Sequence, residues 1–160
     1  MAMNWNVIMS SIFVVIVPGF AVGLVPHWVL PPGASPALPA GMLGLVPLAF
    51  GLSVLLWCVL DFATAGQGTP APIDPPKRLV TRGLYRYVRN PMYCGAALIL
   101  VGEAILFASW ALLIYAGVFC SCAHLFILVY EEPTLRKKFG ASYEEFLSTV
   151  PRWIPRRPAD

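Results

Sequence analysis

The feature that most constrains this chain is the stretch from Tyr93 to Tyr130, 38 residues that are almost all apolar. As one helix at 1.5 Å per residue it would be ~57 Å long, nearly twice the hydrocarbon thickness of a bilayer. Two helices in a tight hairpin fit better. The turn is expected near Ala108-Ser109-Trp110, with the Trp110 ring at the membrane interface, where such rings are enriched.

Two earlier apolar runs reach the ~20 residues that a span needs. The first covers residues 7–29. It has no basic leader and no small-residue cleavage site, so it reads as a transmembrane helix and not as a signal peptide. Pro18-Gly19 inside it predicts a kink. Residues 31–40, PPGASPALPA, form an uncharged loop. The second run covers 41–60 and is closed by Asp61. Only 12% of the chain is charged, against about 25% in soluble domains. Lipid therefore covers most of this surface. The expected fold is all-α: a polytopic membrane helix bundle of four transmembrane helices (7–29, 41–60, 93–108 and 111–130), forming a single domain over 1–160.

No basic residue precedes Lys77. Lys77, Arg78, Arg82, Arg86 and Arg89 form one tract, and Arg136, Lys137, Lys138, Arg152, Arg156 and Arg157 a second. Both abut apolar spans, so membrane topology and anionic lipid explain them more simply than nucleic acid. The positive-inside rule puts segments 61–92 and 131–160, and with them both termini, in the cytosol. Two spans between these segments satisfy that rule, in agreement with the hairpin. The lack of a targeting extension favours a bacterial inner membrane or its equivalent.

Within the first polar segment, 66–76 reads GQGTPAPIDPP and excludes a regular helix. In the second, Glu131-Glu132-Pro133 predicts a new helix with Pro133 in its first turn. Leu135 and Phe139 share one face of it, and Gly140 is its stop. Ser142 and Glu145 make a capping-box pattern for a further short helix, with Tyr143, Phe146 and Leu147 on its apolar face and Pro151 at its end. Both are expected to be interfacial helices. Cys58, Cys94, Cys120 and Cys122 read mainly as small buried hydrophobes. Cys120 and Cys122 point to nearly opposite sides of a helix, so with His124 they do not converge, and no metal site is expected.

Two polar segments are too patterned to be connectors. They are Lys77–Gly95, KRLVTRGLYRYVRNPMYCG, and Glu131–Pro155, EEPTLRKKFGASYEEFLSTVPRWIP. Their order is Leu79-Val80-Thr81, Gly83, Tyr85, Arg89-Asn90-Pro91, Tyr93, Gly95, then Glu131-Glu132, Phe139-Gly140, Tyr143, Val150-Pro151 and Ile154-Pro155. In this the C-terminal half resembles the membrane methyltransferases that include isoprenylcysteine carboxyl methyltransferases and phosphatidylethanolamine N-methyltransferases. The resemblance implies S-adenosylmethionine as cofactor and a membrane lipid or lipidated acceptor. It also implies cofactor contacts at Lys77, Arg78, Leu79, Val80, Tyr85, Asn90, Pro91, Met92, Tyr93 and Glu131.

The chemistry of these residues suits that cofactor. Tyr85 and Tyr93 can stack on a ring or face a sulfonium. Glu131 can pair an ammonium or hold ribose hydroxyls, and Arg89 can pair a carboxylate, either the cofactor's or that of Glu131. Glu131, Glu132 and Glu103 are candidate bases for an amine acceptor. Glu103, placed mid-span, is costly there and is a functional candidate by default, with His124 as one possible partner. Blander roles stand beside these. Pro91 can simply start a helix, the tyrosines can form an aromatic belt, and Arg82 and Arg86 can set topology.

Carboxyl methyltransferases of the resembled group carry an arginine four residues before the first acid, where this chain has Ile127. The wording Asn90–Tyr93 and Tyr130–Pro133 is closer to the phospholipid N-methyltransferases, and the tail closer to the carboxyl type. The acceptor atom stays open on this reading. The rival readings are a nicotinamide-dependent membrane reductase, methylation of a small amine or thiol, and a non-catalytic scaffold.

Overall fold

A computed structural model describes residues 19–65 and 79–157. Residues 7–18 of the first expected span, Pro18 of the expected kink, Lys77 and Arg78 lie outside them, as does the 66–76 segment.

The described residues are helical and contain no strand. A π turn, Phe20–Leu24, leads into α1, Val25–Val29. A 3₁₀ turn, Ala40–Gly44, leads into α2, Leu45–Ala65. Another 3₁₀ turn, Gly83–Arg86, precedes α3, Pro91–Leu106. Then come α4, Trp110–Phe126, a second π turn, Ile127–Glu131, α5, Glu132–Phe139, and α6, Ala141–Thr149. Ala40–Asp61 and the continuous helix Trp110–Phe139 are long and apolar enough to cross a membrane, while Phe20–Val29 and α3 are shorter apolar helices. Large apolar side chains such as Leu43, Val46, Ile114 and Val129 lie outward on them. The molecule is an all-α membrane helix bundle.

Helix α3 is central, packed against α2 on one side and α4 on another. Hydrocarbon offers no hydrophobic drive between helices, so close packing must hold them together. Glycines supply it. Gly44 faces Gly102, and one heptad along, Gly51 faces Gly95. A Cβ on Gly51 would stand 2.5 Å from the Gly95 carbonyl oxygen, and one on Gly102 would stand 2.7 Å from that of Gly44. The backbones touch at two levels, and side chains fill the space between. Val22, Ala96, Ile99, Leu100 and Ala116 form the core of the apolar layer.

The hairpin turns where expected. Ala108 takes a left-handed φ of 46°, and the Ser109 hydroxyl accepts the Leu112 N–H at 3.3 Å as an N-cap. Trp110 lies outermost, 78% exposed.

Several boundaries differ from expectation. α3 starts at Pro91, because proline at the first helical position loses no intrahelical bond. α2 runs past Asp61 to Ala65. The helix over 110–139 does not break at Glu131; it widens into the π turn ahead of Pro133 and continues. The capping box is not formed. Gly140, at φ 53°, joins α5 directly to α6, which leaves Ser142 inside the helix, where it cannot cap. The apolar faces of α5 and α6 close on each other: Tyr143, Phe146 and Val150 pack with Leu79, Leu135, Phe139 and Leu147. Cys58 is fully buried, Cys94 is partly buried, and Cys120 and Cys122 are exposed on α4, contrary to a buried role for all.

Candidate functional site

The site forms where the start of α3, the end of the long helix and the chain after α6 meet. Arg89 and Asn90 immediately precede α3, and Tyr93 lies in its first turn. Glu131 and Glu132 lie at the π turn.

Glu132 is 6% exposed. Its Oε1 accepts Arg89 Nη1 at 3.0 Å and Arg152 Nε at 2.8 Å, and its Oε2 accepts Arg152 Nη2 at 3.0 Å. A carboxylate buried this far must be paired, and two guanidiniums, one of them bidentate, do so. The two arginines are affected differently. Burial pulls the Arg89 guanidinium down while Glu132 opposes it, whereas the hydrogen bonds that Arg152 donates to Glu132 raise Arg152. Arg89 Nε is buried and has no hydrogen-bond partner among the described residues. Tyr143 lies close by and is held neutral, its hydroxyl pushed up to about 12 by burial and then by the charges of Glu132 and Glu131.

Residues 151–156 form a strap across the start of α3. Arg89 N–H donates to the Pro151 carbonyl at 2.9 Å, and Arg156 N–H to the Tyr87 carbonyl at 3.0 Å. Asn90 Nδ2 donates to the Arg152 carbonyl at 3.2 Å. The Trp153 indole N–H donates to His124 Nδ1 at 3.2 Å, and its carbonyl accepts the Cys94 thiol at 3.7 Å. His124 therefore partners the strap and not Glu103.

The Tyr93 hydroxyl donates to Glu131 Oε2 at 3.3 Å. Tyr85 is buried beside Cys58, in a cluster with Val80, Val54, Leu84 and Met92. Burial raises the Tyr85 phenol well above its usual range, and the charges of Glu131 and Asp61 add to this. The Asp61 carboxylate rests against Gly83, whose φ is 58°, and a side chain at 83 would occupy its place. Arg82 approaches the same carboxylate at 3.9 Å.

The expected residues divide accordingly. Tyr85, Tyr93 and Glu131 come together, with Val80 and Met92 packed beneath Tyr85. Arg89 reaches Glu132 and not Glu131. Asn90 and the fully buried Pro91 hold the strap and the helix start, and Leu79 packs into the tail cluster. Glu103 is the thirteenth residue of α3. It lies in the last turn of α3, twelve residues on from Pro91 and so ~18 Å along the axis. Its Oε2 is buried and lacks a partner among the described residues. Sequence reasoning missed Asp61, Cys58 and Arg152. Asp61 was visible as the single acid of an otherwise apolar run; nothing marked the other two.

Tyr93, Glu131, Glu132, Arg89 and Arg152 thus gather at one end of an all-α membrane bundle. The family profile for phospholipid methyltransferases matches residues 40–142, and the chain belongs to that family. Comparison with curated proteins and with solved structures gives no match. Membership makes the protein a membrane methyltransferase of lipid-like substrates.

Proposed function

We propose that the protein transfers a methyl group from S-adenosylmethionine to the amine of a lipid headgroup at the cytosolic face of a membrane. Four spans carry this site, with both termini on that face, in keeping with the charge bias.

The observation that carries the reading is the Glu131–Tyr93 pair, a part-buried acid hydrogen-bonded by a tyrosine hydroxyl, with Tyr85 nearby. Acids and aromatic faces attract cations, and both a sulfonium and a protonated amine are cations. The neighbouring guanidiniums, which a carboxylate acceptor would need, are instead drawn onto Glu132.

The residues present fit the cofactor. The buried Arg89 Nε–H lacks an acceptor among the described residues, and the cofactor's carboxylate would supply one. Glu131 suits the ammonium or the ribose, and Tyr85 and Tyr93 the sulfonium or the adenine. When bound, S-adenosylmethionine supplies an electrophilic methyl carbon. The protein's own work is to orient the acceptor in line, exclude water and take a proton. A lipid amine must lose its proton before its lone pair can form the new N–C bond. One oxygen of Glu131 is fixed by Tyr93, and the carboxylate is the candidate acceptor of that proton. Glu132 is a positioning group here, since the arginines occupy both its oxygens. Glu103, at the far end of α3, has no part in this step.

Calorimetric titration of S-adenosylmethionine into detergent-purified protein, wild type beside Glu131→Gln, tests the reading. Saturable binding weakened by the substitution, and methylation of aminophospholipid but not of carboxylate lipid in mixed micelles, is the expected result. Absence of binding, or binding of a nicotinamide nucleotide in its place, would overturn it.

A further inference from the structure

The inward face of the long helix changes phase at one place. Leu112, Ala116, Ala123 and Ile127 are buried at intervals of four, seven and four, the ordinary repeat of one α-helical face. The next buried residue is Glu132, five positions after Ile127. In an unbroken α-helix a residue five positions on lies about 140° around the axis. Glu132 would then face away from Arg89 and Arg152.

The backbone makes up the difference. The Glu132 N–H bonds to the Ile127 carbonyl, five residues back, so Ile127–Glu131 is a π turn. The next residue is Pro133. It has no N–H for the Val129 carbonyl, and its ring would collide with that carbonyl in a regular α turn. The same arrangement occurs at the other π turn. There the Val25 N–H bonds to the Phe20 carbonyl, and Pro26 follows. Two wide turns, each closing on the residue before a proline, point to proline as the cause.

We infer that Pro133 is a positioning residue of the site: the wide turn it imposes brings two consecutive acids inward, Glu131 onto Tyr93 and Glu132 onto Arg89 and Arg152. The part of this concerning Glu131 rests on the function proposed above, whereas the part concerning Glu132 rests on the strap.

Two variants test it. Pro133→Ala removes the obstacle to a regular α turn, so the chain after Ile127 can rotate by about one residue, ~100°. Pro133→Ala combined with deletion of Val129, which is 76% exposed, removes the extra residue that the wide turn absorbs. A plain α-helix then returns both acids to the inward face. Two readouts are taken: the S-adenosylmethionine dissociation constant, and the rate of tryptic cleavage at the Arg152–Trp153 bond. Loss of a charge-assisted hydrogen bond predicts at least about tenfold weaker binding in Pro133→Ala, with faster cleavage. Deleting Val129 from that variant restores both to within about threefold of wild type, the scatter of a neutral surface change.

Wild-type binding and cleavage in Pro133→Ala, or a deletion that fails to improve on it, would overturn the inference. If Pro133→Ala does not fold, recovery of a monodisperse protein with a protected strap on deletion of Val129 supports it, and no recovery overturns it. If wild type binds no S-adenosylmethionine, the functional reading fails on its own, and the cleavage rates alone decide the role of Pro133.

Discussion

Replacing Glu132 by alanine should be among the most damaging single changes at this end of the molecule. Its carboxylate is 8% exposed, and the Arg89 side chain it holds is 13% exposed. Removing one partner of a buried ion pair costs about 3–5 kcal/mol, because the remaining charge is left without compensation. Here two guanidiniums would be left facing each other. Arg152 is 29% exposed, so water can take part of its charge. That places the expected loss near the lower end, about 3 kcal/mol. Arg152→Ala should cost less, about 1 kcal/mol, since Arg89 still satisfies Oε1 at 3.0 Å. The Glu132→Ala, Arg152→Ala double variant should lose less than the sum, as one of the two stranded cations has gone. Reversible unfolding in mixed micelles, followed by tryptophan fluorescence and circular dichroism, would give the four corners of this cycle. A loss below about 1 kcal/mol for Glu132→Ala, the value of a surface pair, would refute the argument, as would strict additivity.

Three glycine substitutions give further expected outcomes. Gly44→Ala puts a methyl group against the Gly102 carbonyl and 2.7 Å from the Leu106 nitrogen, and such overpacking should lower stability by about 1–3 kcal/mol. Gly117→Ala, with nothing within 4 Å, should instead be neutral or gain up to about 1 kcal/mol, and thermal melts of the two variants compare them directly. Gly83→Ala combines a left-handed φ of 58° with displacement of Asp61; S-adenosylmethionine binding should fall with little change in far-ultraviolet circular dichroism, and unchanged binding would separate Asp61 from the site.

Much of the fold was legible because hydrocarbon imposes a simple rule on length. The excess of the 93–130 run over one span dictates the hairpin, and Ser109 caps its second helix where the turn was expected. The approach of the Tyr93 and Glu131 segments follows from motif order once the hairpin brings their ends together, whereas the hydrogen bond between the two was not read, Arg89 being the expected partner of Glu131. What escaped has a physical reason in each case. Glu103 falls in the last turn of α3 because that helix runs from Pro91 to Leu106, two residues earlier at each end than expected. The continuity through Pro133 was hidden because proline ends most helices, and a π turn carries no compositional signature. Arg152 looked like one of several topology-setting bases. Only its bidentate seat on Glu132, twenty residues away in sequence, sets it apart. The capping pattern at Ser142 was a true motif in the wrong frame, displaced by Gly140.

The order of the chain gives the Arg89–Glu132–Arg152 contact a kinetic meaning. Its three members come from before α3, after α4 and after α6. During synthesis the hairpin can enter the bilayer and pack as soon as α4 has emerged, since its contacts are local. The carboxylate of Glu132 then meets Arg89 alone, and the second cation arrives only when α5 and α6 have folded back. The site is thus finished by the strap, and a chain stalled before Arg152 would sit in the membrane with its helices packed and its site unlatched.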